Sequence, residues 1–143
     1  MTYVTVIVVA CLFFAVVTVW HRRYGGYLPE PYRSRPCQGF AWRRAFPDSS
    51  KDEIKDFLRL FGGAFAYREA QKLQVAPEDN VLAVYRAEYP RVGGIDGCEL
   101  EMFAASVEKA YKIDFVEIWS EAATFGTLFA ACQAASGSRR ELH

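Results

Sequence analysis

The side chains able to do chemistry are few in this chain, and they are scattered. The two histidines, His21 and His143, lie near opposite ends, and no two cysteines have the spacing of a zinc site. No Ser/His/Asp set and no glycine-rich phosphate loop occurs, and the carboxylates of residues 96–121 are expected on solvated helix faces. The composition therefore predicts neither an enzyme, nor a bound metal, nor a cofactor.

The four cysteines could in principle form two disulfides. They are Cys11, Cys37, Cys98 and Cys132. Cys11 lies in an apolar run and Cys132 on the apolar stripe of a predicted helix, so we expect four reduced thiols in a reducing compartment. Cys98 begins another predicted helix, but no neighbouring Lys, Arg or His activates it. A tolerated thiol is the simpler interpretation of Cys98.

Charge is balanced over the whole chain but uneven along it. The 17 basic and 17 acidic residues favour no nucleic-acid partner. Residues 21–50 carry six arginines against Glu30 and Asp48, whereas residues 91–136 carry seven acids against three bases. A basic segment therefore leads to an acidic C-terminal part.

The first twenty residues predict a transmembrane anchor. They read MTYVTVIVVACLFFAVVTVW, without charge, Gly or Pro, and would span about 30 Å as a helix. A cleaved signal peptide would carry its positive charge before the apolar run rather than after it. The arginines that follow predict a single-pass membrane protein with the N-terminus outside and residues 21–143 in the cytoplasm.

Residues 21–50 are predicted to form a juxtamembrane linker. Their prolines and glycines favour irregular backbone, yet the segment is unusually aromatic. It either packs back on the following domain or lies along lipid headgroups. Its arginines are expected to contact anionic lipid rather than single-stranded nucleic acid. The arginines meant here are Arg22, Arg23, Arg33 and Arg35.

Residues 51–136 are predicted to form a small all-helical domain, followed by a tail at 137–143. The first helix carries Ile54, Phe57, Leu58, Phe61 and Phe65 at helical spacing. Ser49 is expected to cap this helix, and Gly62-Gly63 to kink or split it. A second helix is expected in APEDNVLAVYRAEYP, a third in GCELEMFAASVEKAYK and a last in ATFGTLFAACQAA, with a short turn at FVEIW. The simplest interpretation of the apolar stripes on these helices is that they form the hydrophobic core.

Residues from about 78 to 136 resemble an acyl carrier protein. Val107–Tyr111 followed by 112–115, KIDF, looks like the end of that family's second helix and the turn after it. TFGTLF, residues 124–129, looks like the opening of its last helix. The fold class implied by sequence and resemblance together is all-α, with an N-terminal transmembrane helix followed by an acyl-carrier-like bundle.

The resemblance implies that the carrier's attachment residue is missing. Counting back from Glu108 puts Gly97, preceded by Asp96, where the family has the serine that receives phosphopantetheine. Glycine has no side chain to modify. The alternative is a working carrier modified at another residue, of which Ser106, Ser120 and Cys98 are candidates.

A carrier fold without its serine keeps the surface with which carriers meet their partners. The resemblance implies docking through the acidic second helix, so the predicted contact residues lie on one helix. They are Glu99, Glu101, Met102, Ala105 and Lys109. Acids at a helix start also suit the helix dipole without any partner. We therefore predict a non-catalytic protein-interaction module, or alternatively a small subunit of a membrane complex.

Overall fold

The fold is known from a computed structural model that describes residues 2–23, 26–88 and 98–142. Within these ranges the chain is helical and has no β-strand, which confirms the predicted all-α class. The α-helices are α1 (Thr2–Arg23), α2 (Gly39–Ala45), α3 (Lys51–Ala64), α4 (Val81–Glu88), α5 (Cys98–Tyr111), α6 (Phe115–Ile118) and α7 (Phe125–Glu141). A 3₁₀ helix, Glu69–Gln74, lies between α3 and α4.

The predicted membrane anchor is contradicted. Among the described residues, no helix has both the length and the apolar character needed to cross a bilayer. The predicted transmembrane helix, single-pass topology and cytoplasmic placement of the C-terminal domain are therefore wrong for this structure. No residue of α1 belongs to the buried core of the described residues.

Helix α3 begins as its sequence directs, although one residue later than expected. Ser50, not Ser49, is the N-cap: its hydroxyl accepts from the Glu53 amide at 3.1 Å, and the Glu53 carboxylate accepts from the Ser50 amide at 2.8 Å. This reciprocal pair is a capping box. The helix ends at Ala64, directly after Gly62-Gly63, so the glycine pair closes α3 rather than kinking a longer helix.

The core is formed where the predicted apolar stripes of α3, α5 and α7 meet. Ile54, Phe57, Leu58, Phe61 and Phe65 of α3 and its end are buried, as predicted. So are Phe103 and Val107 of α5 and Phe125, Leu128, Phe129 and Cys132 of α7. The rings meet at angles typical of aromatic clusters, for example Phe61 with Phe103 at 5.6 Å and Phe57 with Phe129 at 5.3 Å between centroids.

The segment predicted as an irregular linker is part of this core. It contains α2, and Trp42 of that helix is completely buried. The Trp42 indole donates to the Val75 carbonyl at 2.7 Å, and its ring lies edge-on to Phe129 at 5.8 Å. Leu28, before α2, is also buried. The sequence left open whether this segment packs on the helical domain or lies along lipid headgroups. In the structure it packs on the helical domain.

Residues 75–81 hold the start of α7 against the rest of the domain. We call this segment the clasp. The amides of Val81, Phe125 and Gly126 donate to the carbonyls of Ala123, Asp79 and Pro77 at 3.1, 3.0 and 2.8 Å. The Asn80 side-chain amide donates to the Glu121 carbonyl at 2.9 Å, and its Oδ1 accepts from the Ala83 amide at 2.8 Å. The second helix therefore begins at Val81 and not at Pro77.

Helix α7 is longer than predicted, and its first turn depends on a close approach. Thr124 is the N-cap and exchanges hydrogen bonds with Thr127 in a second capping box. At the other end α7 continues to Glu141, through residues expected to form a tail. A Cβ on Gly126 would lie 2.8 Å from the Pro77 carbonyl oxygen, closer than atoms of these types approach. The clasp can therefore reach α7 only because residue 126 is glycine.

We expect Gly126→Ala to destabilise the fold by about 1–3 kcal/mol, because the added methyl forces the clasp backbone away from α7. The matched control is Gly137→Ala in the same helix, where an added Cβ meets nothing within 4 Å. That variant should be neutral or stabilised by up to about 1 kcal/mol. Urea unfolding followed by far-UV circular dichroism measures both. A Gly126→Ala midpoint equal to that of Gly137→Ala would contradict this account of the clasp.

Candidate functional site

The candidate site is the outer face of α5, and core packing decides which residues lie on it. Phe103 and Val107, one helical turn apart, are fully buried. The Phe103 ring contacts those of Phe57 at 6.2 Å and Phe115 at 5.8 Å. Because these contacts fix the rotation of α5, they also fix the side that faces outward.

Four of the five predicted contact residues lie on that outward side. Glu101, Met102, Ala105 and Lys109 are exposed and recur at spacings of three and four, so they form one face. Met102 is 51% exposed, which is high for a large apolar side chain. We call these four residues, together with Cys98, the α5 face.

Glu99 does not belong to the α5 face, and Cys98 does. Glu99 is half-buried and lies on the flank of the helix, about 100° from Cys98 in the helical projection. Cys98 is exposed at the first position of α5 and falls four residues before Met102 and seven before Ala105. The sequence analysis treated Cys98 as a tolerated thiol or an alternative attachment residue and not as a contact residue; its spacing of four and seven residues from Met102 and Ala105 is the signal that places it on this face.

The segment of chain that contains the α5 face is acidic. From Cys98 to Ala123 there are six acids, Glu99, Glu101, Glu108, Asp114, Glu117 and Glu121, against Lys109 and Lys112. Two of these acids serve the fold: Glu108 accepts from the Phe115 amide at 3.1 Å, and Asp114 caps α6. In the described part of the chain, no salt bridge joins Glu101, Glu117 or Glu121 to a cation. Their charge is therefore available to a partner.

The C-terminal end of α5 is fixed by a contact from α7. Arg139 donates to the carbonyls of Tyr111 and Lys112 at 3.2 and 3.3 Å. Such a contact satisfies carbonyls that a helix end leaves without internal donors, and it places positive charge at the negative end of the dipole. Lys112 itself has a positive φ of 56°, which turns the chain toward α6.

The residues around the missing serine can be located only in part. Asp96 and Gly97 lie outside the described residues. Ser106, on α5, donates its hydroxyl to the Met102 carbonyl at 2.8 Å, and Ser120 is exposed between α6 and α7. Of the alternative attachment residues, Ser120 and Cys98 are thus the exposed ones.

The arginines predicted to contact lipid are not equivalent in the structure. Arg33 pairs with Glu30 at 2.9 Å and lies over the Tyr27 ring, while Arg35 pairs with Asp79 of the clasp. The side chains of Arg22 and Arg23 lie outside the described residues. Lipid contact therefore remains a prediction, and two of its four arginines already have partners within the chain.

Comparison with known proteins leaves the family of the chain open. No family model, no curated protein and no solved structure matches it. Nor do the described residues contain a group of three or more His, Cys, Asp or Glu side chains that could hold a metal ion.

Cysteine reactivity offers a direct check of this arrangement. None of the four cysteines, all within the described ranges, forms a disulfide, and Cys132 alone is buried. Burial raises the pKa of the Cys132 thiol to about 12, so it stays protonated at pH 8. We expect iodoacetamide at pH 8 to label Cys37 and Cys98 in the native protein, and Cys132 only in urea. Peptide mass spectrometry after timed labelling measures this; native labelling of Cys132 as fast as Cys37 would contradict the packing of α7.

Proposed function

We propose that this chain is a non-catalytic, carrier-like module that binds a protein with a basic surface through the α5 face. The proposal keeps the predicted interaction function and drops the membrane anchor. The observation that carries it is the combination of exposed Met102 with the acids Glu101, Glu117 and Glu121, which no cation of the described residues neutralises.

The order of the helices supports the carrier-like part of the proposal. The resemblance implies a helix, a short turn and a last helix that opens at a threonine. The structure has α5 up to Tyr111, α6 four residues later, and α7 capped by Thr124. Phe125, Leu128 and Phe129, which carry the resemblance at the start of α7, are all buried. The matching residues therefore have a packing role that a carrier fold would share.

The character of the α5 face supports binding to a protein. Interfaces combine a buried apolar anchor with a polar, charged rim, and Met is enriched in them. Met102 has the position of such an anchor, and Glu101 and Lys109 flank it on the same face. Excess acid favours a partner of opposite charge, because complementary potentials steer association.

The absence of a prosthetic group is a testable part of the proposal. We expect incubation with coenzyme A and a phosphopantetheinyl transferase to leave the intact mass unchanged, because Gly97 has no hydroxyl to modify. An active carrier protein treated in parallel serves as the positive control. A gain equal to one phosphopantetheine group would overturn the non-catalytic assignment in favour of a working carrier, and peptide mapping would then distinguish Ser106, Ser120 and Cys98.

Partner binding is tested by photo-crosslinking from the α5 face. A benzophenone amino acid at Ala105 should give a discrete adduct in cells that make the protein, and one at Ala134 should not. Ala134 is the matched control because it is also an exposed alanine on a helix. We expect the adduct to fall several-fold with Glu101→Lys and at high salt, because the partner surface is basic.

A glutamate-to-lysine change outside the α5 face is the control for Glu101→Lys. Glu141→Lys changes an exposed glutamate at the end of α7 and should leave the adduct unchanged. Equal adducts from Ala105 and Ala134, or an adduct insensitive to Glu101→Lys, would show that the α5 face is not the contact.

A further inference from the structure

A cavity of about 430 Å³ lies on the side of the domain formed by the end of α3 and the 3₁₀ helix. Its apolar lining comes from Leu28, Leu58, Phe61 and Val75, each no more than 2% exposed. No residue of α5 lines it, so it is separate from the α5 face. Its volume is at the small end of the range for ligand pockets, which suits one apolar chain rather than two.

Two adjacent glycines keep one wall of this cavity open. Gly62 and Gly63 line it within α3, where glycine is less favourable than alanine. Neither has the positive φ that would require glycine, and a Cβ on either would meet nothing within 4 Å. Gly126, by contrast, is required by a close backbone contact. The space beside Gly62 and Gly63 is thus left empty by the sequence at the expense of helix propensity.

The rim of the cavity carries a surplus of positive charge. Its lining includes the cations Arg59, Arg68 and Lys72 and the single anion Glu69, a net charge of 3 − 1 = +2. Glu69 accepts hydrogen bonds from Lys72 and from Arg59, and these lower the pKa of its carboxyl group, so it is ionised at neutral pH. The lining therefore has more cationic than anionic side chains.

Arg59 is the rim cation best placed to meet a ligand. Its side chain is half exposed, and it donates through Nε to Glu69 at 2.9 Å and through Nη1 to Asp56 at 2.6 Å. A guanidinium has five donors in a fixed fork, so donors on Nη2 remain for an anion at the cavity mouth. The two carboxylates hold the guanidinium in place beside the opening.

We propose that this cavity binds a single-chain anionic amphiphile, with the chain against Leu58, Phe61 and Val75 and the headgroup at Arg59. An apolar interior with a cationic rim matches a ligand with one apolar tail and one negative group. Carboxylate and phosphate headgroups share this chemistry. The inference is independent of the proposed protein-binding function, because the two sites share no residue.

Binding of decanoate, decyl phosphate and the neutral decanol to the full-length chain, measured by isothermal titration calorimetry, tests the proposal. We expect saturable binding of at least one anion with one site per chain, and at least tenfold weaker binding of decanol. The two anions distinguish a carboxylate from a phosphate ligand. No saturable binding of either anion, or equal binding of decanol, would overturn the proposal.

Filling the cavity provides the decisive variant. Gly62→Leu places a side chain in the open space and should weaken anion binding at least tenfold while leaving the unfolding midpoint equal or higher. Gly137→Leu adds the same side chain to an open glycine of α7 and should bind like the original chain. Arg59→Gln should weaken binding of the anions about tenfold and leave decanol unchanged. Amphiphile binding that persists in Gly62→Leu would place the ligand on another apolar surface, such as α1, and refute the assignment.

Discussion

The clasp, residues 75–81, is the constraint on which the rest of the domain depends. It has little regular structure of its own, yet three of its carbonyls accept hydrogen bonds from two distant parts of the chain. Val75 accepts from Trp42 of α2, Pro77 from Gly126 of α7, and Asp79 from Phe125. The Asp79 carboxylate also accepts from the Ala76 amide and pairs with Arg35. Because buried backbone groups must find partners, these bonds fix the relative positions of α2, α4 and α7 together.

The aromatic core explains why the clasp needs such specific partners. Trp42, Phe57, Phe61, Phe103, Phe125 and Phe129 are all essentially fully buried. Rings of this size pack well only in a few relative orientations, so a small shift of α7 would disturb several contacts at once. Gly126 and the clasp set that position from outside the core. Residues 21–50, through Trp42 of α2, contribute one of the largest side chains to the same cluster.

The two candidate surfaces follow from the same packing. Burial of Phe103 and Val107 turns Met102 and Glu101 outward, and burial of Leu58 and Phe61 turns the adjacent glycines of α3 toward the cavity. One surface is acidic with a single apolar anchor; the other is an apolar cavity with a cationic rim. Their opposite charges suit different ligands, and they lie on different helices. The domain can therefore present a protein-binding face and a small-molecule site without competition between them.

The core helices, and the side that each of them buries, follow from the pattern of residues along the chain. Helical spacing is a local property, so the stripes from Ile54 to Phe65, from Leu100 to Tyr111 and from Phe125 to Cys132 were readable without coordinates. The four residues of the α5 face came instead from the resemblance, and their role as contact residues stays a prediction. The sequence also showed the apolar start of the chain, but the membrane span predicted from it was wrong, since no helix of the described residues is both long and apolar enough to cross a membrane.

Which distant segments contact one another could be seen only in the folded chain. Prolines and glycines in residues 21–50 predicted irregular backbone, but they do not reveal α2 or the carbonyl, 33 residues away, to which Trp42 donates. The reason for Gly126 is a backbone atom of Pro77, and the cavity beside Gly62 is lined by residues as far apart in the chain as Leu28 and Val75. Contacts of this kind depend on three-dimensional packing of segments far apart in the chain, for which no local pattern is a sufficient guide.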